Sequence, residues 1–228
     1  MIILYDYFRS SASYRVRIAL YLKHLDFTSK TIDLVKAEQH SEEYLKLNPQ
    51  GGVPFFVDGD IKFGQSLAIL EYLDETHPDP ALIQGSAEDK AYIRQLSYII
   101  ACDIHPLNNL KVWKGYVGKK LDANETQMQD WYHHWIHEGL KAYEATLVQN
   151  NKTGKFSFGD EPSMADICLI PQLYNARRFN VDLSAYPNIS KIEKNCLSIE
   201  AFQKASPEMH PDAPEELEQI YGSAIAKL

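Results

Sequence analysis

Cysteine is scarce in this chain and does not pair up: Cys102, Cys168 and Cys196 are an odd number, with no C-x-x-C spacing. That argues against a disulfide framework, a zinc site or a dithiol redox centre, and it implies reduced thiols in a cytoplasmic protein with no metal. Positive charge is also short. The net charge is −8, shared about equally by the residues before and after position 84, so neither half offers the basic field that attracts phosphates, and nucleic acid is not an expected partner. Long apolar runs are missing too. Ile2 to Tyr5 is too short for the core of a signal peptide, and nothing approaches the roughly 20 apolar residues of a membrane span, so no membrane partner is expected. There is no internal repeat and no low-complexity segment. What is present is 45% hydrophobic residues, enough to build the core of one large domain or two small ones.

The first 80 residues alternate between two periodicities. Ile2-Ile3-Leu4-Tyr5 is a short apolar run; Tyr14 to Leu25 sets Val16, Ile18, Ala19 and Leu22 at helical spacing; Phe27 to Leu34 alternates again. Ser41 to Leu47 predicts a short helix. Val53 to Val57 and Ile61 to Phe63 then flank Asp58-Gly59-Asp60 as a hairpin, and Leu67, Leu70 and Leu73 form one face of a helix over Gln65 to Thr76. The order βαβαββα is that of an α/β thioredoxin-like domain, placed at 1–80. His77-Pro78-Asp79-Pro80 breaks the last helix, since the residue before a proline is pushed out of the helical region.

From Ala87 on, strand signals fade. Ile93, Leu96, Ile100, Ile104, Leu107 and Leu110 recur every three or four residues, as do Trp131, Trp135 and Leu140, so an all-α helical domain is expected at 87–228. Pro106 predicts a bend in the long helix. Ser163-Met164-Ala165-Asp166 has the form of a capping box, which starts a helix at Ser163.

Five segments carry a resemblance. RSSASYRVRIAL at 9–20, NPQGGVPFF at 48–56, QSLAILEYL at 65–73, DIHPLNNL at 103–110 and GDEPSMADICLIPQ at 159–172 resemble, in order, segments of the zeta-class glutathione transferases. The resemblance covers nearly the whole chain. It implies the glutathione transferase fold, glutathione as cofactor, and cis–trans isomerisation of maleylacetoacetate in tyrosine and phenylalanine breakdown by addition and elimination of the glutathione thiolate. General transfer or dehalogenation, maleylpyruvate isomerisation and a non-catalytic adaptor role are the alternatives. A homodimer is implied as well.

Ser10 and Ser11 stand where the first strand hands over to the first helix, and a helix N-terminus presents unpaired N–H groups and about half a positive charge. The family puts the glutathione thiolate there, with Ser10 as the hydroxyl that holds it and Ser11 as helper; Ser10, Ser11 and Ser13 as simple caps is the compatible alternative. Where many family members carry cysteine this chain has Ala12, so no second protein nucleophile is available. By the same resemblance Val53 and a cis-Pro54 pair with the cysteinyl backbone, and Gln65 and Ser66 hold the γ-glutamyl carboxylate at a second helix start. The alternative for Pro54 is an edge-strand proline. His40 is either a ligand for the glycyl carboxylate or a surface histidine. His105 and Asn109, four residues apart, share one helix face with Cys102 and face the ligand pocket or a neighbouring subunit, or else make an inter-helix hydrogen bond. Arg9 and Arg178 are the candidates for reading a dicarboxylate substrate, because guanidinium forks match carboxylates; Arg178 is singled out by resemblance, standing where the family has the arginine of its N-A-x-R-F segment, here Asn175 to Phe179, while Arg177 is expected on the surface.

Overall fold

The computed structural model describes residues 1–217 and 219–221. The chain divides into two compact units, Met1–Leu82 with the residues from Leu197 on, and Ile83–Cys196.

The first unit is built on four strands, β1 (Ile2–Asp6), β2 (Phe27–Thr31), β3 (Phe55–Asp58) and β4 (Ile61–Gly64), in the order β2-β1-β3-β4. β1 runs parallel to β2 and antiparallel to β3, and β3 antiparallel to β4. The expected βαβαββα order is completed by α1 (Ser11–Leu22), α2 (Glu42–Leu47) and α3 (Ser66–Thr76). Alternation assigns the faces: Ile2, Leu4 and Asp6 are the buried positions of β1, with Leu4 opposite the fully buried Phe56. The other face packs Ile3, Tyr5, Phe55 and Val57 around Tyr44 of α2. The hairpin closes at the Asp58–Ile61 pair, and Gly59 supplies the positive φ of 59° that its turn requires. α1 stops at Leu22, short of the expected Leu25. Lys23 caps it and buries its ammonium against Asp74 and the carbonyls of His77 and Pro80.

The second unit contains α4 (Ala87–Tyr98), α5 (His105–Asn108), α6 (Glu125–Asn150), α7 (Met164–Arg178) and α8 (Pro187–Leu197, whose last residue is counted with the first unit). Capping boxes open α4 at Ser86/Asp89 and α6 at Asn124/Gln127. At α7 the Asp166 carboxylate accepts both the N–H and the hydroxyl of Ser163, as the motif predicts.

Two expectations are corrected. The long helix from Ala87 to Leu110 is not continuous. Residues Ile99–Ile104 form wide turns in which His105 N–H reaches back five residues to Ile100 O, and the helical path stops at Asn109, whose ψ is 148°. Pro106 has no N–H to continue the ladder, and Ile104 fills the space where a Cβ on Gly139 of α6 would lie 2.2 Å from its Cγ1. Leu110, expected on the buried face, is 46% exposed in consequence. The helical domain also ends before residue 228. A short α9 (Glu200–Lys204) follows α8, and the chain is held to the first unit by Tyr14 donating to Phe202 O at 3.0 Å and Arg17 Nε to Ala205 O at 2.9 Å. The N-terminal boundary expected at residue 80 lies two residues from the one observed at Leu82.

Candidate active site

The turn after β1 leads directly to Ser10. Tyr7 and Phe8 are buried, Ser10 N–H donates to Tyr7 O at 2.9 Å, and Ser10 takes the extended N-cap conformation. Its Oγ accepts the Ser13 N–H at 3.2 Å. A hydroxyl that accepts this way still has its proton to donate, so capping and anion binding coexist in one side chain. The first turn of α1 contains no acidic residue, which leaves the positive end of its dipole unneutralised. Ser11 is the buried first residue of the helix. Arg9, half-buried, lays its guanidinium 4.9 Å from the Phe8 ring centroid, and its buried Nε meets no hydrogen-bond acceptor among the described residues. A buried N–H of this kind, on the residue that precedes Ser10, suits an anionic ligand.

The second helix start lies at Gln65 and Ser66. Gln65, not Ser66, occupies the N-cap, at φ 72°, ψ 110°, where a side chain with a Cβ is strained; such positions concentrate at ligand sites. Ser66 is the first helical residue, buried, and its Oγ accepts Arg15 Nη1 at 3.2 Å. Arg15, 2% exposed, thereby ties α1 to the N-terminus of α3 and sets a cation beneath a helix end that has no acid in its own first turn. Gln65 Nε2 donates to Gln50 Oε1 at 2.9 Å. The Val53–Pro54 peptide is cis, and Val53 lies just outside the β3 ladder, which begins at Phe55. His40 is exposed but adjoins this loop: its Nδ1 lies 3.5 Å from where a Cβ on Gly51 would sit. The first unit thus gathers Arg9, Ser10 and Ser11 at one helix start and Gln65 and Ser66 at the next, with a hydrogen bond joining the two helices. These donors and this cation fit a tripeptide bearing a thiolate and a carboxylate.

In the second unit, Arg177 and Arg178 part company. Arg177 forms a two-pronged ion pair with the buried Glu193, with Nε–Oε1 at 2.8 Å. Arg178 lies over the Phe179 ring at 4.9 Å; that ring packs on Tyr132 and Trp113 at 4.2 and 5.1 Å. Burial pushes the Tyr132 hydroxyl well up, and the Arg178 charge opposes that rise. His105 and Asn109 do not share a helix face, contrary to expectation. Asn109 sits at the break, where its Oδ1 accepts Lys111 N–H at 3.0 Å and starts the next segment.

Motif reading passed over Arg15 and Gln50. Arg15 carried a signal all the same: it and Arg17 are two charges inside the otherwise apolar run of α1, and an arginine on a buried face must have partners.

Residues 1–75 match the family of the glutathione S-transferase N-terminal domain, and residues 113–191 that of the C-terminal domain. A maleylacetoacetate isomerase of Rattus norvegicus is 49% identical over 94% of this chain and 96% of its own. Among solved structures, a holo maleylpyruvate isomerase, described as a bacterial zeta-class glutathione S-transferase, superposes with a TM-score of 0.90 at 40% identity, covering 93% of this chain and 100% of its own. A maleylacetoacetate isomerase from Methylobacterium extorquens AM1, with bound malonate and glutathione, has a TM-score of 0.89 at 36% identity over 93% of this chain and 99% of its own. With both domain families matched and relatives of this identity aligned over nearly its whole length, the chain belongs to the glutathione S-transferase family, in its zeta class.

Proposed function

We propose that this protein isomerises the cis double bond of maleylacetoacetate to give fumarylacetoacetate, with glutathione as a cofactor that is not consumed. The observation that carries this reading is the Ser10 hydroxyl at an acid-free helix start, preceded in the chain by Arg9, whose buried Nε–H meets no acceptor among the described residues. Bound glutathione supplies a thiolate that adds reversibly to the double bond, so that rotation can occur before the sulfur leaves. The residues have to keep that sulfur ionised. A free thiol with a pKa near 8.5 is only about 3% ionised at pH 7, and lowering the pKa by roughly 2 units takes about 2.7 kcal/mol. A hydroxyl donating to an anion contributes about 1.5–3 kcal/mol and a helix end up to about 2, so Ser10 and α1 suffice without a buried base.

Gln65 and Ser66, backed by Arg15, hold the γ-glutamyl carboxylate, and Val53 pairs with the cysteinyl backbone. Arg9 and Arg178 orient the substrate carboxylates, a role consistent with the dicarboxylate malonate in the solved relative. Arg177, occupied by Glu193, is not a reader. Ala12 excludes a covalent role for a protein thiol at that position. We place the protein in the cytoplasm as a homodimer acting in tyrosine and phenylalanine breakdown. Maleylpyruvate is the second reading, favoured by the zeta-class structural relative of that name; the ratio of kcat/KM on the two substrates decides between them. Ser10→Ala should lower kcat about 100-fold, whereas Ser10→Thr, which keeps both hydroxyl and cap, should retain most activity. An unchanged kcat in Ser10→Ala would remove the proposed thiolate holder.

A further inference from the structure

A buried charge network lies directly behind the turn that presents Ser10. Asp6 is 0% exposed, and the side chains of Arg17 and His210 are 3% and 1% exposed. Asp6 occupies a core-facing place on β1, next to the positions of Ile2 and Leu4 that alternation buries. Arg17 Nη1 reaches both its carboxylate oxygens, at 2.8 and 3.0 Å; Oδ1 also accepts Tyr7 N–H at 2.6 Å, and Oδ2 faces His210 Nε2 at 3.2 Å. Arg17 spends its other N–H groups on two carbonyls, Phe8 O at 3.1 Å and Ala205 O at 2.9 Å. Asp212 N–H donates to His210 Nδ1 at 3.2 Å, which requires a lone pair there, so the ring proton sits on Nε2 and points at Asp6. Ser29 Oγ lies 3.4 Å from the same Nε2, and the Asp212 side chain accepts from Thr31, so the C-terminal segment is also fastened to β2.

The network joins three stretches of chain: the turn at Asp6–Phe8, α1 at Arg17, and the segment Ala205–Asp212. An apolar cluster of similar volume would stabilise the unit as well or better, since buried ion pairs offset their desolvation only when fully hydrogen-bonded. What ion pairs and hydrogen bonds add is direction. The Tyr7 N–H and the Phe8 carbonyl are the backbone groups that fix how the chain leaves β1, and both are held by this network two and three residues before Ser10.

We infer that Asp6, Arg17 and His210 are positioning residues that aim the Ser10 hydroxyl, so that the segment Ala205–Asp212 governs ionisation of bound glutathione without touching it. The inference rests on the proposed role of Ser10. Loss of His210 leaves the Asp6–Arg17 pair in place but removes the contact that fixes Asp6 Oδ2 from the C-terminal segment; the carboxylate that accepts Tyr7 N–H is then less firmly held, and the hydroxyl spends less time aligned with the sulfur.

The test is the pKa of glutathione bound to the full-length protein, read from the ultraviolet absorbance of the thiolate across pH. His210→Ala is expected to raise that pKa by about half to one unit and lower kcat about three- to tenfold at neutral pH, with KM for the substrate little changed. His210→Gln, whose amide N–H can still reach Asp6, should restore both. Phe202→Leu, a buried change in the same C-terminal stretch that leaves the network intact, should cost stability and leave the thiolate pKa in place. Should His210→Ala not fold, Asp212→Ala, at a side chain 54% exposed, is expected to shift the pKa in the same direction by less. The inference is overturned if neither variant moves the pKa, or if Phe202→Leu moves it equally. If the unaltered protein does not ionise glutathione at all, it is the role of Ser10 that fails.

Discussion

Each of the two units buries one aspartate completely, and the two are treated in opposite ways. Asp6 in the first unit shares its burial with Arg17; burial alone would raise its pKa, but the guanidinium, with His210, outweighs that and holds it at about 2. Asp166 in the second unit meets only neutral donors, the N–H groups and the hydroxyls of Ser157 and Ser163, and burial pushes its pKa up. A buried carboxylate therefore does two different jobs here. With a cation beside it, it remains an anion and orders a turn at the site; without one, it caps a helix and joins a loop to it.

The largest expected effect breaks the comparison on its charged side. Asp6→Asn leaves Arg17 buried without its counter-charge and should cost about 3–5 kcal/mol in urea unfolding at neutral pH. Asp166→Ala leaves only neutral donors unsatisfied and should cost less, about 2–3 kcal/mol. The pH dependence sharpens the contrast further. The folded pKa of Asp6 lies below its unfolded value of about 3.9, so its contribution is full above that value and lost as the pH falls through about 2. Asp166 runs the other way, its contribution being lost as the pH rises through its elevated folded value. Unfolding curves between about pH 3 and pH 6 should show the stability gap between parent and Asp6→Asn widening with pH, and the gap to Asp166→Asn narrowing. Parallel gaps would mean that the two sites are not electrostatically distinct.

The smallest effect concerns neighbours in sequence. Arg178→Gln should raise KM for the dicarboxylate about tenfold, a loss of about 1.4 kcal/mol, with little change in stability. Arg177→Gln should do the reverse, leaving KM unchanged and loosening the packing around Glu193. Equal effects on KM would make the ion pair with Glu193 irrelevant to which arginine reads substrate.

Legibility followed the range of the interaction. The strand at Ile2–Tyr5, the Asp58–Ile61 hairpin and the Ser163–Asp166 box depend on residues a few positions apart, and each was visible as a local pattern, though an unbroken apolar run did not tell which face of β1 is buried. The helix starts at Ser10–Ser11 and Gln65–Ser66 were visible for the same reason, while the roles given to these residues came from the resemblance to the zeta-class glutathione transferases. The break at Asn109 was not, because a wide turn advances the chain while leaving an apolar residue every third or fourth place, so periodicity runs on through Ile100 and Ile104 to Leu110. The return of the C-terminal segment left no local trace either. It depends on contacts such as Tyr14 to Phe202, separated by 188 positions, between a phenol and a backbone carbonyl that every residue possesses. Asp6, Arg17 and His210 all went unread: Asp6 falls just past the apolar run Ile2–Tyr5, Arg17 inside an apolar helical run, and His210 lies 204 positions from the carboxylate it meets.

The most direct test of the central claim is to mix the protein with maleylacetoacetate at about pH 7, with and without a catalytic amount of glutathione, and to follow isomer conversion and glutathione together. Conversion that requires glutathione and leaves its concentration unchanged is the predicted result. Equal conversion without glutathione, or its stoichiometric depletion, would contradict the account.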